Sequence, residues 1–398
     1  MNVKYLIIGA GPAGLALGVS LLAAGEKDFV ILEENAFPGG LCKSKPLAGS
    51  PIDVGGGHIL DVKNQEACEL IFRYLPKEEW NRFDRITKIR VGEYEIDYPF
   101  EANIWQLPEG ERALYLKSIE EAGCLKGEPM PERFCDWIAW KLGDRIAEKY
   151  MLPYNEKIFS CDLNTLGTYW LSKLPDVSYE ETVKSCEEQK PFGKLPAHAS
   201  FYYPKAHGYG EAFARMADEL GSRLILGERV RSLCPEMLMA NGNIRASRAI
   251  INTAPWHAFP KQFPVPVQEA ITKLEYAGVD VDYQGDAMAT DAHWTYFADP
   301  ALSYHRIIHR NNIQPGAKGC WTETNSKRRL PGASGPLHFE NPYAYPLNTL
   351  AKPAAIQTVL DYGRSMNIIG LGRWGEWEHY NSDVVISRAI ALSKELLG

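Results

Sequence analysis

The sequence holds little that would staple, anchor or span. Its eight cysteines are scattered and none forms a CxxC pair, so it offers neither a disulfide framework nor a close-set zinc site. No run approaches the roughly 18 consecutive apolar residues that a membrane helix needs. Basic charge is in deficit, 43 Lys and Arg against 50 Asp and Glu, and a net charge of −7 argues against non-specific nucleic-acid binding. Repeats and low-complexity tracts are missing as well. The first strand begins within about four residues of the N-terminus, which leaves no room for a signal peptide. With reduced thiols, these absences predict a cytoplasmic protein with no membrane or nucleic-acid partner. The remainder is an ordinary globular composition, 45% hydrophobic and 23% charged over 398 residues, enough for two or three subdomains.

What is there begins with YLIIGAGPAG, Tyr5 to Gly14. A short buried strand, Tyr5 to Ile8, runs into Gly9, Gly11 and Gly14, spaced GxGxxG, with Pro12 and Ala13 inside the turn. An apolar helix ends at Gly25, and a second strand, FVILE, closes on Glu33. Each part has a reason. Gly9 permits the tight turn, Gly11 admits a pyrophosphate to the backbone, and Gly14 lets helix and strand pack closely. The helix N-terminus offers unpaired N–H groups to phosphate, and Glu33, nineteen residues after Gly14, can accept from a ribose hydroxyl. This order predicts a dinucleotide-binding α/β unit. Gly39-Gly40 followed by Ser44 resembles the second phosphate-side loop of glutathione-reductase-like flavoproteins, and PIDVGGGHIL (51–60) lets backbone lie against a large flat group. FAD is therefore favoured, with NAD(P) as the lesser option.

Further along, residues 61–80 read as a helix with Cys68, Ile71, Phe72 and Leu75 on one side. ITKIRVGEYEIDYPF reads as a hairpin turning at Gly92. Residues 109–185 read as helical, with helices over Glu109 to Ala122 and Pro131 to Tyr150, whereas 178–200 read as a surface connection. FYYPKAHGYGEAFARMADEL is a strand, a glycine turn and a helix, and Asn241-Gly242 signals a hairpin. Strand-like runs between about 265 and 345 predict an antiparallel sheet on the substrate side. The expected division is an FAD-binding domain from 1–95, 205–262 and 350–398, a helical insertion over 105–185, and a sheet domain from 96–104, 186–204 and 263–349.

Several blocks, in order and spread over nearly the whole chain, resemble UDP-galactopyranose mutase, a family within the protoporphyrinogen-oxidase and amine-oxidase group of flavoproteins. They are GAGPAG, GGGH at 55–58, YPFEANIWQLP, EKYMLPYNEKIF, FYYPKAHGYG, WTYFADPALSYHR and GRWGEWEHYNSD. The resemblance implies bound FAD that must be reduced by an external donor, and a nucleotide sugar as the small-molecule substrate. It also implies ring interconversion between pyranose and furanose forms through a flavin N5–sugar adduct. On the FAD side it implies Gly9, Gly11, Pro12, Ala13, Gly14, Glu33, Glu34, Gly40, Leu41, Gly56, Gly57, His58, Val230, Gly372, Arg373 and Asp383. On the substrate side it implies His58 beside the flavin ring, and Tyr296, Arg306 and Tyr345 on the diphosphate, where a guanidinium fork and phenolic donors suit phosphate.

The chain also departs from that pattern. Where the family places a first diphosphate arginine, this sequence has Leu174, with Lys173 adjacent. A third tyrosine falls on His379 or Tyr380, and a glutamine after YPF is Glu101. These departures keep open an FAD-dependent oxidase or dehydrogenase acting on another small substrate, and a flavoprotein that only binds a ligand. His293, His305 and His309 lack the spacing and carboxylate of a zinc site. Cys42 has no second cysteine four or five residues on, so a disulfide oxidoreductase is not expected.

Overall fold

The computed structural model describes the chain except residues 48–49, 195–197, 234–235, 240–241, 260–262, 287 and 331–336, and except the side chains of 173, 236–239 and 242–243. The opening unit forms as its pattern dictates. Strand β1 (Asn2–Ile8), helix α1 (Pro12–Ala23) and strand β2 (Phe29–Glu33) follow in order. β1 is the centre of a six-stranded sheet, parallel to β2 on one side and to Gly242–Asn252 on the other. Leu224–Leu226 extends the sheet beyond β2, and Ile368–Gly370 pairs with Gly242–Asn252. Side chains alternate along a strand. Tyr5 and Ile7 therefore face α1, Glu211–Leu220 and the closing helix Ser382–Leu397, while Leu6 and Ile8 face Val265–Thr272 and Lys352–Ser365. Glu236–Met239 lies antiparallel to Gly242–Asn252; Asn241, the expected hairpin residue, lies outside the described residues.

The second sheet has seven strands in the order Leu337–Pro346, Tyr276–Gln284, Cys320–Asn325, Tyr304–His309, Trp294–Phe297, Thr87–Val91 and Tyr94–Asp97. All its pairs are antiparallel except Trp294–Phe297 with Thr87–Val91, which is parallel. The Gly92 hairpin thus joins this sheet, and the expected boundary at residue 95 cuts through its edge strand. Local alternation predicted the strands; only long-range pairing chose their sheet.

The insertion packs Glu109–Glu120 against Phe134–Ile146. The expected helix from Pro131 starts later and is broken at Gly143 (φ +76°), where a Cβ would collide with the Ser118 carbonyl oxygen of the crossing helix. A wider turn over Ala147–Met151 then leads into Leu152–Phe159. The segment expected as a plain connection holds a further helix, Tyr179–Glu188. Its cause is a capping box: the Glu181 N–H donates to Ser178 Oγ (3.1 Å) and the Ser178 N–H donates to Glu181 Oε2 (2.8 Å). Among the described residues no helix is long and apolar enough to cross a membrane.

Candidate functional site

The glycine turn sits between β1 and α1 at the carboxyl end of the parallel strands. Gly9 has φ +97°, and a Cβ at Gly14 would collide with the Gly9 carbonyl oxygen, so the close approach tolerates no side chain. Gly11 caps α1 with no side-chain hydrogen bond and Pro12 is its first residue. The N–H groups of the first turn thus keep the unmet donors and positive dipole end that draw phosphate. Glu33 ends β2 in a buried position, accepting from the Ala10 N–H at 2.8 Å and the Asn35 N–H at 2.9 Å. Gly39 donates to the Ala10 carbonyl (2.8 Å), which ties the Gly40-Leu41 loop to the same turn. Glu34 is exposed 3.6 Å from Arg229, and Val230 is buried in the core on the far face of the sheet. At the start of the closing helix, Asp383 accepts from Asn64 (3.2 Å), while its other oxygen is buried with no hydrogen-bond partner among the described residues. An uncapped helix start, an acidic strand end and a buried unmet acceptor together fit a bound dinucleotide.

Beyond this turn, where the two sheets and the insertion meet, lies a cavity of about 380 Å³. Leu41, Gly55, Gly57, His58 and Arg373 line its nucleotide side; Arg85, Trp294, Tyr296, Arg306 and Tyr345 line the sheet side; Glu101, Phe134, Trp137, Tyr150, Tyr154 and Leu174 line the insertion side. The four residues assigned to substrate from sequence, His58, Tyr296, Arg306 and Tyr345, therefore share one cavity. Tyr296 and Arg306 are cross-strand partners and project from the same face. His379, not Tyr380, lines the cavity and lies against Tyr345, with ring centroids 4.8 Å apart.

The electrostatics follow from burial. Burial, aided by the charge of Arg373, pushes His58 down to about 4, so the ring is neutral. Its Nδ1 lies 3.1 Å from the Gly56 carbonyl, which can only accept; the proton therefore sits on Nδ1 and Nε2 is left as an acceptor. Glu323 is buried beneath the cavity wall. Burial would raise its carboxyl, but Arg306, His305 and the Gly57 N–H together outweigh that and hold it at about 2. One Glu323 oxygen accepts from both Nε and Nη2 of Arg306, and the other accepts from the Gly57 N–H (2.8 Å). Glu323 thereby fixes Arg306 and the loop beside His58 with one side chain. Burial keeps Tyr345 a phenol by raising its ionisation. Burial also pushes the Cys42 thiol up to about 12, so it carries no thiolate.

Arg85 on the cavity wall and Glu323 beneath it carry no assignment from the sequence. Arg85 precedes the edge hairpin; it donates to Thr87 (2.8 Å) and to the Tyr296 phenol (3.3 Å), and its guanidinium lies over the rings of Tyr98 and Trp294. Nothing local in DRITKIR marks it out. Glu323 could have been suspected, because a carboxylate inside the strand-like run CWTETN must find a cation once buried. The side chain of Lys173 lies outside the described residues. The three histidines have separate surroundings: His305 lines the cavity 3.7 Å from Glu323, His309 bonds Thr295 (2.9 Å) and His293 accepts from the Ile86 N–H (2.9 Å).

Fold and turn define a protein with a Rossmann-type dinucleotide domain carrying a seven-stranded sheet and a helical insertion. Residues 7–75 match the family model described as an NAD(P)-binding Rossmann-like domain. The whole chain has the fold of UDP-galactopyranose mutase: the reduced form of that enzyme superposes with a TM-score of 0.89 at 22% identity, covering 100% of this chain and 94% of the other. A protein named as a protoporphyrinogen oxidase from Exiguobacterium sp. 255-15 superposes at 0.72 with 13% identity, covering 98% of each chain. A fatty acid isomerase from P. acnes that produces CLA superposes at 0.68 with 16% identity, covering 99% and 98%. In sequence, an uncharacterised protein from the nifH2 3′ region of Methanothermococcus thermolithotrophicus is 29% identical over 98 residues, 23% of this chain and 94% of that protein.

Proposed function

We propose that the chain is a flavin-dependent enzyme that interconverts the pyranose and furanose forms of a nucleotide sugar. FAD would lie along the glycine turn, with its pyrophosphate at the start of α1, its ribose at Glu33 and its ring end beside Gly55–His58 and Arg373. When bound and reduced by an external donor, it would supply the N5 nucleophile for the anomeric carbon. The observation that carries the reading is the wall beside that loop. There Arg306, Tyr296 and Arg85 come together, two guanidinium groups flanking one phenol. These groups hold a diphosphate as it departs and returns. Arg85 takes the part of the cation that Leu174 leaves out. Neutral His58 presents Nε2 as an acceptor to the ring end. The aromatic insertion wall excludes water from the reacting carbon. We take the cytoplasm as its compartment.

The test is to reduce the purified yellow protein with dithionite and supply a panel of nucleotide sugars. Ring-isomerised product without net consumption of reductant is expected; no product with any member would overturn the reading. The departures at Leu174 and Glu101 favour a second reading, an FAD-dependent oxidase or dehydrogenase. It is distinguished by peroxide formed in air from a small substrate.

A further inference from the structure

Glu101 lines the cavity, and the proposed reaction gives its carboxyl no part. It follows Phe100 in the short helix Phe100–Asn103 and is 9% exposed. The charged groups that act on it are Lys141 and Asp176, not Arg306 or Arg85. Lys141 is already answered, with its Nζ 2.8 Å from Asp176. Among the described residues, no cation stands within ion-pair distance of the Glu101 carboxyl. Arg306, by contrast, acts on Tyr154 and Tyr345. The cavity therefore joins a cationic wall beside the glycine loop to an insertion-side wall that carries one carboxyl and several flat rings. Phe134 packs between Trp137 (6.2 Å, stacked) and Trp170 (5.0 Å), and all three line the cavity with Glu101.

Planar walls and a carboxyl with no ion-pair partner among the described residues suit a heteroaromatic ring that donates hydrogen bonds. A buried carboxylate is costly unless a ligand supplies donors, and once ionised it can only accept. Nucleobases differ at this point. Cytosine, adenine and guanine carry an exocyclic amine, which a glutamate side chain can accept. Uracil has one N–H set between two carbonyl oxygens, whose lone pairs a carboxylate repels. Resting on the nucleotide-sugar reading, we propose that Glu101 is a specificity determinant that accepts from the exocyclic amine of the substrate's base, so that the nucleotide is an amino-bearing one rather than a uridine nucleotide.

Titration calorimetry of the reduced holoenzyme at pH 8.5 with CDP, ADP, GDP and UDP tests this. That pH lies above the value of about 7 to which burial raises the Glu101 carboxyl. The best amino-bearing diphosphate is expected to bind at least about tenfold more tightly than UDP, the scale set by one unmatched buried hydrogen bond. In Glu101→Gln, whose amide can also donate, the ratio should fall to about threefold or less. UDP binding as tightly as the best of the others in the wild type overturns the proposal, and so does a preference unchanged in Glu101→Gln. Should the variant lose its FAD or fail to fold, the wild-type ranking decides alone. Wild-type protein that binds none of the four overturns the nucleotide-sugar reading itself, a result distinct from tight binding without the predicted preference.

Discussion

Arg306 keeps its fork on the cavity wall because Glu323 stands beneath it, buried and ionised. A guanidinium held this way has already met part of its ordering cost, which is what an anion clamp requires. Arg306→Ala should weaken UDP or CDP binding by about 1.5–3 kcal/mol, as for a lost charged hydrogen bond. Calorimetry reads it directly, and an unchanged affinity would count against the clamp. Glu101 gives a second test at this scale. Its folded carboxyl titrates at about 7, raised from 4.5 by burial. The fold thus favours the protonated acid, and that contribution is complete below about pH 4.5 and lost as pH rises through 7. Compared with Glu101→Gln, the ligand-free wild type should lose about 2–3 kcal/mol between pH 4.5 and pH 8. Denaturant unfolding across that range checks it; a flat difference between the two proteins would show the carboxyl to be solvated.

At the scale of elements, the turn into α1 and the caps of the insertion set positions that no single side chain could. Gly14→Ala drives a methyl group into the Gly9 carbonyl, so α1 must shift away from β1. The expected result is loss of most bound FAD, read from the ratio of flavin to protein absorbance, with a lower melting temperature. Full flavin content would refute the packing argument. The helix Tyr179–Glu188 depends on its capping box, and Ser178→Ala should cost about 1 kcal/mol in stability with flavin content unchanged. The wide turn over Ala147–Met151 does comparable work for the cavity. It carries Tyr150, and Tyr154 follows four residues later; the two rings stack 5.5 Å apart and the series continues to Tyr296 at 5.1 Å.

At the scale of the molecule, the cavity exists only where three units meet, so its ligands bind the folded chain alone. FAD at a hundred times its dissociation constant should therefore stabilise the protein by about 2.7 kcal/mol. Thermal melts of protein stripped of FAD and then reconstituted should separate in that order. Coincident melts would mean that the dinucleotide does not bridge these elements.

The sequence by itself determined the units that close over short spans. The β1–α1–β2 turn was legible because GxGxxG, an apolar helix and Glu33 each have one local explanation. The Gly92 hairpin and the strands after 265 were legible because alternation with period two is a local signal. The four residues that block order assigned to the substrate share one cavity. Tertiary structure decided the rest. It chose which sheet Thr87–Asp97 would join, brought Arg85 beside Tyr296 from 211 positions away in the chain, and set Glu323 under Arg306. A charged residue in a strand reads the same whether it faces water or a cavity. Only the packing of distant elements removes the water, and with it decides which charges are paired, which carboxyl stays neutral and where a ligand can lie.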